Sequence, residues 1–591
     1  MLKRSVRRLL VSAAIGAVVL AAGSASTPAS AQEAPVTLIV GLTQPWETLN
    51  PVIGFAVPEY EFWNIQYEGL TTFSANDFTP QPGLAESWVE NEVGLSYTYT
   101  LREGLAWSDG TPLTAEDIAW NINTSRDQEW ANYIASVANL SAEVVDERTV
   151  TVTSSTPDPK LPSVGIYFVP KHIWEPVADP ATIESYEALD GVGSGPFVLD
   201  GYKSEESLTM VVNENWHGTK PAYDRLIFRY FSNPDAMVAA LQRGEINAAH
   251  ELPAASVAQL EADPDIEVIT GVQGGFSEIA LNLGAAEGQP NPALLDIEFR
   301  KALNHGIDKA GGAEDLWFGL SEPIDTISVS ANPAFMPEIS DAERFDYNPA
   351  KANEILDAAG YLDTDGDGTR ELPGGGENIV LRHAVNTDVD LANEVGELFS
   401  GWMREIGIGV ELSSYDQDQI FTAIVDGDYD TFYWGWVPFV DPTPMLSYWT
   451  EAELGNFNDA NWSDQRFEEL YVQQQQELDP AARLDLVHEM LRIVHDQAGY
   501  IAVWYSPDIQ AYRTDGFEGW VRQPAADGPI FFSQSSPSYA LVSPVVAAGG
   551  NGDGGGLSGV AIAAIVVAAL AAISAGGYLA SRKRASADER E

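Results

Sequence analysis

The residues whose spacing most directly suggests chemistry are three carboxylates. Asp363, Asp365 and Asp367 stand at positions one, three and five of the run DTDGDGTRE, with Gly368 at position six. That alternation wraps hard oxygens around one cation, calcium by preference. Position twelve is Gly374 rather than Glu, so the loop is incomplete. The expectation is a weak, exposed calcium site at Asp363, Asp365 and Asp367, set against a plain acidic turn, and no other cofactor. Two further runs fail on inspection. Gly191-Val192-Gly193-Ser194-Gly195 has Pro196 where a dinucleotide fingerprint needs Gly, and Val192 and Pro196 where a nucleophile elbow needs Gly on both sides of Ser194. His488-Glu489 is followed by Arg492 where a zinc-protease helix needs its second His. The chain has no Cys, which removes thiolate zinc sites, cysteine nucleophiles and an N-terminal lipid anchor, and only 7 His. These counts and failed motifs argue against an enzyme.

Elements that would carry a site are legible from periodicity. VTLIV (36–40) is a buried strand that ends at Gly41; SYTYTLR (96–102), RTVTVT (148–153), SLTMVV (207–212) and RLIFRYF (225–231) are further short strands. They alternate with helices. Thr114 followed by Glu116 and Asp117 opens one, and Asn348-Pro349 starts another that stops at Gly360. This is an α/β chain with mixed sheets and more than one lobe. Its 591 residues carry 31 Lys+Arg against 87 Asp+Glu, a formal charge of −56, so nucleic acid is excluded as a partner.

Both ends read as addresses. Lys3, Arg4, Arg7 and Arg8 precede an apolar stretch and the small-residue pattern Ala29-Ser30-Ala31, giving a signal peptide over 1–31. Leu557 to Ala580 is uncharged and long enough, at roughly 36 Å, to cross a bilayer as a transmembrane helix. Arg582, Lys583 and Arg584 follow it and favour a cytoplasmic tail over 581–591, with the body outside. A Gly-rich tether over 541–556 separates the two.

One longer series of motifs resembles a known family. Thr48-Leu49-Asn50-Pro51, Tyr67-Glu68-Gly69-Leu70 and the segment PQPGLAESWVENEVGLSYTYTLREGLAWSDGTPLTAEDIAW (80–120) come first. GSGPFVLDGY (193–202), NENWHGTKPAYDRLIFRY (213–230), AALQRGEIN (239–247), FRKALNHGIDK (299–309), REIGIGVEL (404–412) and GDYDTFYWGW (427–436) follow in the same order. Nearly all of the body is similar to the family 5 extracellular solute-binding proteins, the peptide, oligopeptide and nickel receptors of ABC importers.

The resemblance implies a two-lobed periplasmic-binding-protein-like fold with an inserted third domain. Carried onto this chain, lobe I takes 36–66, 190–273 and 499–540, the inserted domain 67–189, and lobe II 274–498. A ligand would lie between the lobes, and a monomeric ectodomain would deliver it to an ABC permease. The ligand-binding residues it points to are Trp46, Asn282, Trp434, Trp436, Phe439, Asp441 and Trp504. Phe439 is a departure, because peptide-binding members carry there a carboxylate that grips a free amino terminus. An oligopeptide is the first expectation, an oligosaccharide stacked on Trp the second, and a sensory ectodomain with a signalling partner a third. Nickel is disfavoured, since no His or Met cluster accompanies the pocket motif.

Overall fold

The computed structural model describes residues 35–54, 56–284, 290–387, 389, 391–437, 439–524 and 528–546. The expected signal peptide, the transmembrane helix, the tail and most of the tether therefore lie outside the described residues. Among the described residues no helix is long and apolar enough to cross a membrane.

A ten-stranded sheet organises the chain. In chain order its strands are β1 (Thr37–Leu42), β2 (Phe197–Lys203), β3 (Ser207–Val212), β4 (Arg225–Tyr230), β5 (Ala248–Ala249), β6 (Ile266–Leu281), β7 (Val380–Asn386), β8 (Gly409–Tyr415), β9 (Thr431–Trp436) and β10 (Tyr500–Arg513). Their spatial order is β8-β7-β9-β6-β10-β5-β1-β4-β3-β2. β1 buries Leu38, Val40 and Leu42 and runs parallel to β4, as its apolar β-branched composition favours. It continues one residue past Gly41.

Two strands are long. β6 has 16 residues and β10 has 14, and they pair antiparallel from Ile266↔Arg513 to Ala280↔Tyr500. At about 3.3 Å per residue, β6 alone spans roughly 50 Å and carries the chain from one lobe into the other. The pairing slips between Gly271 and Gly275, opposite Asp508 and Ser506. An irregularity of this kind bends a ladder locally, which suits a crossover between lobes.

Each lobe has its own core. Beyond β5, the first lobe packs Val40, Phe228 and Met210 against Trp63 and Phe62 of the helix Val57–Gln66. The same cluster continues into a four-stranded antiparallel sheet, Ala85–Glu92, Ser96–Leu101, Thr149–Ser154 and Leu140–Asp146, under the helix Ala115–Asp127. Thr114 caps that helix, with Asp117 returning a bond to the Thr114 amide. On the other side of the crossing strands, Ile279, Leu281, Tyr433 and Ile501 face one helical layer with Phe299 and Phe399. Phe276, Ala280, Phe432 and Tyr500 face a second layer with Trp449, Met490 and Leu491.

The tether expectation needs correction at its start. Leu541 closes a short helix from Ser538, Val542 is fully buried, and Ser543–Pro544 pairs with Phe517–Glu518. Burial of Val542 against the first lobe makes these residues part of the body.

Candidate ligand-binding cleft

The segment with the richest aromatic content, YWGWVPFVDP, leaves the sheet at the lobe boundary. β9 pairs antiparallel with β6, so that Trp434 lies opposite Glu278 and Trp436 opposite Phe276. Alternation sends Trp434 and Trp436 to the same face. There Trp436 lies over Tyr448, ring centroids 4.9 Å apart and planes 33° apart, and Tyr448 in turn lies 4.9 Å from the exposed Phe457. The Trp436 indole N–H donates to Glu278 Oε1 at 2.8 Å.

Phe439 follows the strand, its carbonyl held by the Ala331 amide. Its ring meets Tyr60 of the helix Val57–Gln66 edge to face at 6.4 Å. This contact spans the two lobes. Tyr60 donates to Asn132 Oδ1, and Tyr167 accepts a bond from Asn64 Nδ2. Burial pushes the Tyr60 hydroxyl up to about 12, so it stays a neutral donor at any physiological pH. The wall on one side is therefore Tyr60 and Asn64 with Tyr167 of the 67–189 segment; the wall on the second lobe is Trp436, Phe439 and Tyr448. Nearby, Phe78 and Phe532 pack at 5.5 Å and form with Ala331 a small cluster that also joins the lobes. Such a surface offers stacking and a few fixed hydroxyl and amide groups.

The other expected ligand residues have structural partners that account for them. Trp46 packs edge-on against Tyr202 and Phe228, and its N–H donates to the Pro58 carbonyl. Asn282 donates to the carbonyls of Gly427 and Tyr429 and accepts from Gly284, finishing its strand. Trp504 is fully buried and donates to the Lys309 carbonyl, because a one-residue slip at Val503 turns it into the same core as Ile501. Asp441 binds Arg483 through both oxygens, at 2.7 and 3.0 Å, and caps Thr443. Each of these four groups thus has bonding partners or a packed surface of its own.

In the acidic loop the carboxylates that converge are Asp363, Asp365 and Glu371, whose oxygens lie within 4.8 Å of one another. Asp367, expected as a ligand, instead accepts from the Thr369 amide and from Asn378. Glu371 is buried, position nine of the loop rather than twelve, and holds Thr364.

Two lobes joined by long crossing strands around an aromatic cleft define a solute-binding architecture. Residues 79–457 match the model of the bacterial extracellular solute-binding proteins, family 5. The chain belongs to that family. It is 25% identical over 460 residues to the nickel-binding periplasmic protein of Escherichia coli, covering 74% of this chain and 83% of the relative. To the oligopeptide-binding protein OppA of Bacillus subtilis it is 25% identical over 473 residues, covering 75% and 82%. Among solved structures, AppA of Bacillus subtilis in complex with a nonapeptide superposes with a TM-score of 0.71 at 20% identity, over 86% of this chain and 99% of that one. As its family defines, this is an extracytoplasmic binding protein of an ABC transporter and not an enzyme.

Proposed function

We propose that the cleft captures an oligopeptide and presents it, as a monomeric receptor, to an ABC import permease. The observation that carries this reading is the pair of aromatic walls meeting across the lobes at Tyr60 and Phe439. Relatives named for oligopeptide binding support the ligand class. With Phe439 where a carboxylate would hold an amino terminus, the grip comes from side-chain stacking and from fixed donors such as the Tyr60 hydroxyl. The test is calorimetric titration with a peptide pool in free-amine and N-acetylated forms. Acetylation is expected to change affinity by less than about threefold, under 1 kcal/mol. A loss of a hundredfold would place an amine anchor in the cleft and refute this mode of binding. The stacked Trp436 and Tyr448 rings also suit a sugar face, so oligosaccharides are the second ligand class to titrate.

The same proposal places the protein in the membrane by a single C-terminal helix after removal of its signal peptide, on the strength of the sequence of both ends. Full-length protein should then sediment with membranes, and a chain ending at Val546 should not. A weak calcium ion at Asp363, Asp365 and Glu371 completes the reading. The expected dissociation constant is about 10⁻⁴ to 10⁻³ M, the range of extracellular modules. Isothermal titration with calcium chloride should show this binding and Asp363→Asn should abolish it; heat of dilution alone in the parent protein would remove the site.

A further inference from the structure

Directly behind Trp436 lies a pair of acids that nothing in ligand capture has yet used. Glu278 sits in the middle of crossing strand β6 with no exposed surface, and Asp459 is 4% exposed. The groups facing them from the elements packed around are Trp436 of β9, Tyr429 just before β9 and Tyr500 of β10. Trp436 donates to Glu278, the Tyr500 hydroxyl donates to Asp459 Oδ1 at 2.7 Å, and the Tyr429 hydroxyl donates to the Asp459 carbonyl. Among the described residues, no Lys, Arg or His pairs with either acid. Glu278 Oε2 and Asp459 Oδ2 are buried and receive no hydrogen bond from any Lys, Arg, His, hydroxyl or amide among the described residues. Asp459 is the acid that stands beside Glu278, and two carboxyls so placed can bond one another only if one of them carries a proton. Two bare carboxylates side by side in a dry interior without a cation are also electrostatically untenable.

We propose that Glu278 and Asp459 share a single proton, and that this proton fixes Trp436 in its cleft-facing position, making both acids positioning residues for ligand capture. The proposal rests on the reading of Trp436 as a cleft wall. Burial and the neighbouring Asp459 hold Glu278 well above the usual carboxylate range, and burial raises Asp459 to about 7. A proton held more tightly in the folded state gives stability that is complete below the ordinary carboxylate range and is lost progressively as the pH climbs through the raised values of the pair, past about 7. Asp459 remains tied to two tyrosines when the pair loses its proton, whereas Glu278 holds only the indole. The strain of the second charge therefore falls on Glu278 and loosens Trp436.

The test uses purified full-length protein without added ligand. Emission spectra of the parent and of Trp436→Phe are recorded from pH 5 to 9, and their difference reports Trp436 alone. Thermal midpoints are recorded in parallel. In the parent, Trp436 emission should move to the red and the midpoint should fall as pH rises past about 7. Glu278→Gln keeps an oxygen for the indole and supplies a permanent N–H to Asp459, so both profiles should be flat; Asp459→Asn should flatten them from the other side. A Trp436 emission independent of pH in the parent overturns the proposal, as does an unchanged profile in either folded amide variant. Since no ligand enters this experiment, failed peptide binding with a pH-dependent Trp436 would sink the function proposed above and leave the shared proton standing.

Discussion

Replacing Trp436 with alanine should weaken ligand binding by about thirtyfold, or roughly 2 kcal/mol, more than any other single truncation in the cleft. The indole contributes in two ways. Its face, paired with Tyr448, is a stacking surface on the second lobe. Its N–H satisfies Glu278, which has no exposed surface and no other donor besides the shared proton. Alanine removes the wall and leaves a buried acid oxygen without its partner, at a further cost to stability of about 1–3 kcal/mol. Trp436→Phe separates the two effects, because it keeps an aromatic face and loses the hydrogen bond. Calorimetric titration of both variants with the bound peptide pool, beside their denaturant midpoints, measures this directly. Equal affinity in the alanine variant would mean that the ligand lies elsewhere.

The second large effect is structural and falls on the glycine run that carries no dinucleotide. The amides of Ser194 and Gly195 both donate to the Gln66 carbonyl at the end of the helix Val57–Gln66, and Ser194 Oγ accepts the Glu68 amide. A Cβ on Gly195 would lie 2.1 Å from the Ile65 carbonyl oxygen, and one on Gly193 would lie 2.2 Å from that of Gln66. Backbone oxygen cannot step aside as a side chain can. Gly195→Ala should therefore cost about 3 kcal/mol of stability, at the upper end of overpacking effects. Because the same helix carries Tyr60 and Asn64, its displacement should also impair ligand binding. Chemical denaturation of the variant, with a shift under about 1 kcal/mol as the contradicting result, checks the contact.

Local signals were sufficient where a residue's environment is set by its neighbours in sequence. The strands 96–101, 149–154, 207–212 and 225–230 and the capped helix from Ala115 appear where alternation and capping place them. The cleft was legible on one side only. Trp436 and Phe439 sit in a segment whose composition draws attention, but Tyr60, Tyr167 and Tyr448 look like ordinary half-buried aromatics until the lobes are folded together. Asp441 shows why a carboxylate in a pocket motif is ambiguous: its partner, Arg483, lies 42 residues away. Trp504 turns into the core beside Ile501 because of a bulge that period-two reasoning has no means to see. Glu278 lies in SEIAL, where an alternating strand would put it toward solvent on a one-sided sheet; here both faces are covered, and its acid partner is far away in the chain. The acidic loop carries the same lesson, since Glu371 turns inward at position nine and Asp367 does not converge with the others.

The most direct test of a peptide-capturing cleft is a native mass spectrum of the full-length protein purified under mild conditions. A closed pair of lobes retains what it encloses, so the account predicts the protein mass accompanied by adducts that fragment into amino-acid residues. A ladder of hexose increments would contradict the peptide reading and assign the aromatic walls to sugar faces.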